Sequence, residues 1–419
     1  MRVSAPSQGR FAINSGDRIG KVTVRRFFRL FVVAIVFLFV QSAIAATINP
    51  RPLTTPHKRS VKENPHARRH MRHLARSRRV RSRTVATLKR KHYYERFYTS
   101  SYSNDITDGD NTAGEDPVVR QAAIDALGNM NGTVLAIQPT SGRILAMVNQ
   151  KMALASSAQP CSTIKLSVAL AALSEGIITK ETQVRLGGRS HMNLTLALAH
   201  SNNAYFEALG RQLGFDKIEH YARMYGLGEL AGYHIAGEKP GVYPDEEIPA
   251  KLGGVGKMCS FGEGISMTPL QLGSLVTAIA NGGTMYYLQH PTTAAEVANF
   301  QPIVKRHLDI AGLIPELSDG MAGAVNYGTA RRLLVNFNEE EVLGKTGTCS
   351  RAGTRFGWFA SYANTSYGKV VIVVFLEGGR PTFGPKAAEI AGRMYRNLYD
   401  HDFFAEKPAV TIRNASSTD

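Results

Sequence analysis

At 419 residues, 43% of them hydrophobic, the chain is long enough for one large domain of about 290 residues with a substantial core, plus extensions. The formal net charge of +17 is concentrated: residues 1 to 29 carry +6, residues 51 to 96 carry +14, and everything after position 96 carries −3. The high isoelectric point therefore belongs to an N-terminal arm, and the near-neutral remainder cannot be read as a polyanion-binding domain on charge grounds.

Residues 1 to 29 form a basic tail. Residues 30 to 40 are an apolar run of eleven behind Arg25, Arg26 and Arg29, leading into Ala43-Ile44-Ala45, a small-x-small site that suits a cleavable signal peptide. Counted from 30 to 48 the run is nineteen residues, interrupted only by Gln41, Ser42 and Thr47. At ~1.5 Å per residue such a helix reaches roughly 28 Å, enough to span a bilayer. Both readings stand, and either one exports the rest of the chain. Cations flank the run on both sides, so they do not orient it.

Residues 49 to 112 read as a polybasic linker kept extended by like charge, with a helix from about 66 to 97 as an alternative because no proline interrupts it. Its chemistry suits anionic lipid head groups or wall polymers, and nucleic acid is a poor partner for an exported segment. From 113 to 404 the pattern is globular, and 405 to 419 form a C-terminal tail. Strands are expected at 132 to 138 and 143 to 149, joined by the turn Pro139-Thr140-Ser141-Gly142. Residues 194 to 200 read as a helical stretch, with the apolar stripe continuing through Phe206, Leu209 and Leu213. The Gly- and Pro-rich part from 226 to 268 reads as irregular loops. A helix from Pro269 to Asn281, stopped by Gly282-Gly283, precedes strands at 342 to 348, 356 to 363 and 369 to 376. The last strand is apolar throughout and should be central in its sheet, and an amphipathic helix at 385 to 399 closes the domain.

The chemistry gathers in three segments. Ser162 and Lys165 stand at the start of a helical run with apolar residues at 164, 168, 169, 172 and 173. Three apart, they share one helix face, so the Lys165 amine can take the Ser162 proton. On its own, Ser-x-x-Lys fits a capping serine and a solvated lysine. Ser201-Asn202-Asn203 follows 39 residues after Ser162, and Lys345-Thr346-Gly347-Thr348 lies 144 residues after Ser201. Each of these also has a plain reading, as a helix end and a strand-to-turn element.

In this order the three motifs are those of serine acyltransferases that react with penicillin. The sequence resembles the transpeptidase domain of penicillin-binding proteins, the peptidoglycan cross-linking enzymes, over most of residues 115 to 404. Gly132 to Met147 looks like the hairpin that opens this domain, and Gly262 to Leu272 with Ala278 to Gly283 is similar to its segment between the second and third motifs. The resemblance implies an α/β (α+β) fold, an antiparallel sheet flanked by helices plus an all-helical subdomain. It implies Ser162 as the acylated nucleophile, Lys165 as its base, Ser201 passing a proton to the leaving amine, and Asn203 bonding Lys165 and the substrate amide. Lys345 would polarise Ser201, keep Lys165 neutral by repulsion and, with the Thr346 and Thr348 hydroxyls, bind a terminal carboxylate; Gly347 would let the substrate approach. The N–H groups of Ser162 and Thr348 would form the oxyanion hole. The implied partners are D-Ala-D-Ala stem peptides, β-lactams, the membrane and a glycosyltransferase of wall synthesis. The implied location is the bacterial inner (cytoplasmic) membrane, held by a single uncleaved span, with the domain on the outer, periplasmic side.

Two rivals remain. A β-lactamase or D,D-carboxypeptidase uses the same scaffold, although no convincing deacylating glutamate lies between the second and third motifs. A non-catalytic β-lactam sensor or wall-synthesis scaffold would carry an effector domain or a damaged motif, and all three motifs are intact. Neither a metal nor a nucleotide cofactor is expected, since no ligand spacing or phosphate loop occurs. Three features depart from the family pattern. Cys161 stands where the family usually has Gly, the Ser162 to Ser201 spacing is short, and no domain large enough for glycosyl transfer precedes the catalytic part. Of the three cysteines, 161, 259 and 349, the first and last flank the motifs and have two readings: two small residues in a tight space, or a pair able to bond and block the site.

Overall fold

The computed structural model describes residues 95–365 and 368–404. The basic tail, the apolar run, most of the linker and the tail after 404 lie outside the described residues. So does most of the helix considered at 66 to 97, whose last residues, 95 to 97, are irregular. Among the described residues no helix is long and apolar enough to cross a membrane.

Helix α1 (Pro117–Leu127) starts where the Asp116 carboxylate accepts from the N–H groups of Val118 and Val119, with proline in its first turn. The hairpin β1 (Gly132–Gln138) and β2 (Arg143–Val148) follows, then α2 (Gln150–Ala155), a 3-10 turn at Cys161–Ile164, and α3 (Lys165–Ser174). A short ribbon, β3 (Val184–Gly187) and β4 (Ser190–Met192), leads into α4 (Leu194–Ala199), α5 (Asn203–Leu213) and α6 (Phe215–Met224). Next come α7 (Gly254–Phe261) and α8 (Pro269–Asn281), the latter opened by a reciprocal Thr268–Gln271 capping box. A second ribbon, β5 (Thr284–Tyr286) with β6 (Val304–His307), brackets α9 (Ala294–Ala298), and α10 (Ile314–Asn326) comes after it. The chain closes with β7 (Glu341–Arg351), β8 (Thr354–Thr365), β9 (Gly368–Gly378) and α11 (Gly384–Asp400).

Two features were not expected. The stretch from 226 to 268 is not wholly irregular, because α7 lies within it; only Lys257 and Met258 of its eight residues are strong helix formers, so propensity hides a helix that packing stabilises. The helical half also carries the two small ribbons.

The main sheet has the order β2-β1-β9-β8-β7 and is antiparallel throughout. Its middle strand β9 is buried on both faces, as an all-apolar run requires. Val371, Val373 and Phe375 face a cluster shared with α3, α5, α7 and α8, while Val370, Ile372, Val374 and Leu376 face one shared with α1 and α11. Each such side chain contributes about 1.5–3 kcal/mol relative to exposure. Strand β7 stands at the edge of the sheet.

Ahead of α1 the chain is tied to this domain. Tyr98 N–H donates to Gly353 O at 2.9 Å, and the buried Asp110 carboxylate accepts from the Asn149 and Gln150 N–H groups at 2.9 and 2.7 Å. Arg120 bridges Asp110 at 2.6 Å and Glu115 at 3.2 Å, with side chains only 2% and 1% exposed on the acidic side.

Candidate active site

Ser162 sits in the 3-10 turn, one residue after Cys161, whose φ is 51°. The turn is tightened by Thr163, whose hydroxyl donates to Pro160 O at 2.6 Å. Helix α3 continues directly, and because it is buried on every side its first residue, Lys165, is fully enclosed while Ser162 stays partly open.

The second segment is shaped by a helix stop. At the end of α4, Ser201 N–H donates to Leu198 O at 3.1 Å and Asn202 N–H to Ala197 O at 2.9 Å, the paired bonds of a Schellman motif. Its left-handed position, usually glycine, is Ser201 at φ 54°. Asn202 then caps α5 through Tyr205 N–H at 2.9 Å, so Asn203 projects from the first turn of the new helix.

The third segment is the edge strand. β7 pairs with β8 in unbroken register, Lys345 opposite Ala360 and Gly347 opposite Trp358. A Cβ on Gly347 would lie 3.0 Å from Pro160 O and 3.2 Å from Thr163 Cγ2. The space left by that glycine is thus used by the turn that carries Ser162, a use the sequence did not suggest beside the expected substrate approach.

These segments converge. Lys165 Nζ lies 3.0 Å from Ser162 Oγ, 3.1 Å from Ser201 Oγ, 2.8 Å from Ser201 O and 2.6 Å from Asn203 Oδ1. Lys345 Nζ donates to Ser201 Oγ at 2.9 Å and to Thr346 O at 2.8 Å. Burial, then the neighbouring Lys345, pushes the Lys165 pKa down to about 6, opposed by the field of Glu207. Burial likewise pushes Lys345 down to about 7. Glu207 is itself held by Lys257 at 3.3 Å and Arg211 at 3.6 Å. All five expected catalytic side chains therefore stand together.

Of the expected substrate groups, Thr346 is buried, its hydroxyl 2.6 Å from that of Thr329, and Thr348 is half-buried, its hydroxyl accepting from Gly384 N–H at 2.8 Å. Thr329, Gly384 and Phe206, whose ring centre is 5.4 Å from Lys165 Nζ, were not anticipated as parts of the site. Phe206 belonged to a recognised apolar stripe; nothing in the sequence marks the other two.

Cys161 and Cys349 are joined by a disulfide, with Cα atoms 5.5 Å apart. Both sulfurs lie near Gln159 O, at 3.4 and 4.0 Å, and Trp358 Nε1 donates to the same oxygen at 3.0 Å. The expected pairing is present, with Cys161 fully buried and Cys349 half-buried, while the Ser162 hydroxyl lies 3.0 Å from Lys165 Nζ. Cys259 is a buried free thiol. Among the described residues no group of three or more His, Cys, Asp or Glu is placed to hold a metal ion.

An antiparallel sheet flanked by helices, with serine and lysine in one turn facing a Ser-x-Asn and a Lys-Thr-Gly segment, defines the class of penicillin-interacting serine proteins. The sequence model of the penicillin binding protein transpeptidase domain matches residues 132–399, and the chain belongs to that family. It is 26% identical over 316 residues to stage V sporulation protein D of Bacillus subtilis, covering 63% of this chain and 48% of that one. It is 24% identical over 347 residues to the peptidoglycan D,D-transpeptidase MrdA of Acinetobacter baumannii, covering 64% and 51%. The fold is shared with Pseudomonas aeruginosa PBP2, solved in complex with WCK 5153, at a TM-score of 0.59 and 22% identity over 73% of this chain and 81% of that one. The chain spans about half the length of the two curated relatives.

Proposed function

We propose that this protein is a peptidoglycan D,D-transpeptidase that forms an acyl-enzyme on Ser162 from D-Ala-D-Ala stem peptides and is inhibited by penicillin. One observation carries the reading: a lysine amine lowered to about 6 lies 3.0 Å from the Ser162 hydroxyl. Neutral, that amine donates its two hydrogens to Asn203 Oδ1 and Ser201 O and turns its lone pair on Ser162. Ser162 then attacks the scissile carbonyl, and its proton passes through Lys165 and Ser201 to the leaving D-alanine. Lys345, with Thr346 and Thr348, supplies the positive, hydroxyl-rich end of the cleft for the terminal carboxylate. The N–H groups of Ser162 and Thr348 receive the oxyanion; losing one such donor typically costs on the order of 100 to 1,000-fold. A second amine takes the acyl group and completes the cross-link.

The same reading places the domain outside the inner membrane on an N-terminal anchor at 30 to 48, beside a glycosyltransferase that supplies the glycan strands being cross-linked. Domain limits of 113 and 404 belong to this proposal. A β-lactamase of the glutamate-dependent kind needs a carboxylate free to activate water; Glu207, whose field reaches Lys165, is engaged by two cations instead. The test is turnover of a stem-peptide mimic with and without an amine acceptor. Acceptor-dependent cross-linked product supports the reading, and rapid release of hydrolysed β-lactam contradicts it.

A further inference from the structure

The nucleophile turn is held in a conformation that its sequence disfavours. Cys161 has φ 51°, and a side chain in the left-handed region costs roughly tenfold or more in conformational population. Within the turn the Thr163 hydroxyl donates to Pro160 O at 2.6 Å. What ties it to the sheet is packing on β7, one hydrogen bond and one covalent bond. Gly347 admits Pro160 O and Thr163 Cγ2 to the strand, Trp358 Nε1 anchors Gln159 O from β8, and the disulfide ties Cys161 to Cys349. The bond thus joins the residue just before Ser162 to the residue just after Thr348. Those two residues bring the N–H groups assigned to the oxyanion. With the bond formed, the Ser162 hydroxyl lies 3.0 Å from Lys165 Nζ.

We propose that the Cys161–Cys349 disulfide is a positioning element for acylation. It holds Cys161 left-handed and so fixes the Ser162 N–H and hydroxyl against the Lys345–Thr348 strand. The oxidised protein acylates quickly and the dithiol form slowly. The inference rests on the acyl-transfer reading. Reduction requires a dithiol: its thiolate attacks the sulfur of half-buried Cys349, Cys161 leaves as a thiolate and takes a proton, and the resulting mixed disulfide closes onto the reagent's second thiol, releasing Cys349 as a thiol. Two electrons and two protons pass to the protein, and the reagent becomes a cyclic disulfide.

The experiment measures the acylation rate constant of the full-length chain with labelled penicillin, with the thiol state fixed by intact mass. Four samples are compared: oxidised wild type, wild type reduced with dithiothreitol, Cys349→Ser, and the double variant Cys161→Gly with Cys349→Ser. The expected result is a loss of about tenfold in the reduced and Cys349→Ser samples, with recovery in the double variant, because glycine adopts positive φ without restraint. Thermal stability should fall in both variants, since each lacks a bond that closes a loop spanning 188 residues. Recovery of rate without recovery of stability separates positioning from stapling. The reduced wild type keeps the test decisive should a variant misfold. Equal or faster acylation after reduction overturns the inference alone, as does a folded double variant that stays slow. Absence of labelling in every sample overturns the acyl-transfer reading as well.

Discussion

Ser201 Oγ lies 3.1 Å from the Lys165 amine and 2.9 Å from the Lys345 amine, so two buried lysines share one hydroxyl. Lys165 therefore lies in the field of Lys345. The base form of Lys165 grows as pH rises through about 6, while the charge on Lys345 that would hold a carboxylate fades as pH rises through about 7. Acylation efficiency should be bell-shaped, with its maximum between these values. Lys345→Met removes the repulsion that helps to depress Lys165, so the rising limb should move to higher pH. A limb that stays in place would show that the two amines are uncoupled.

The same shifts set a stability slope. Both lysines titrate in the folded state below the ordinary lysine value of 10.5, so between about 7 and 10.5 the unfolded chain binds more protons. Stability should rise with pH across that window and be lost as pH falls towards 6. At pH 7, Lys345→Met is expected to raise the melting temperature by about 2–4 °C while suppressing acylation, a trade of stability for function. A lower melting temperature, read by calorimetry, would count against burial as the cause of the depressed pKa values.

Asn203 gives Lys165 its shortest contact, 2.6 Å. Asn203→Ala should slow acylation on the order of 10 to 100-fold, because the amine loses the acceptor that orients its lone pair. Stopped-flow labelling with penicillin measures this. A rate within twofold of wild type would remove Asn203 from the constellation.

Gly347 separates β7 from the nucleophile turn. The Cβ introduced by Gly347→Ala would meet Pro160 O at 3.0 Å, forcing a shift of a few tenths of an ångström. Acylation should drop about tenfold or more with a stability change of about 1–3 kcal/mol, as overpacking costs elsewhere. An unchanged rate would mean that the turn has slack.

Far from the cleft, Arg120 holds two buried carboxylates, Asp110 and Glu115. Arg120→Ala removes the guanidinium from both, leaving Glu115 the His290 ring at 2.9 Å, and should cost about 3–5 kcal/mol in denaturant unfolding. Acylation by the remaining folded protein should be unaffected. Loss of both together would place this cluster in the catalytic structure.

The legible part of the fold was the part written in periodicity and punctuation. The all-apolar run from Val370 to Phe375 marked a central strand, and Pro269 with Gly282-Gly283 bounded α8. The side chains proposed as catalytic were legible because three short motifs each survive intact. Less could be read where tertiary packing decides. Helix α7 is glycine-rich, and the left-handed conformations of Cys161 and Ser201 come from a disulfide and a helix stop, neither of which leaves a local pattern. The three cysteines suggested the pairing of 161 with 349, but only the fold shows the two Cα atoms brought to 5.5 Å across a separation of 188 residues.

The most direct test is intact-protein and peptide mass spectrometry after incubation with penicillin at pH 7. The account predicts one stoichiometric acyl adduct on the peptide containing Ser162, stable for minutes or longer, and none on Ser162→Ala. An adduct retained by that variant, or wild type that stays unmodified while folded and oxidised, would contradict it.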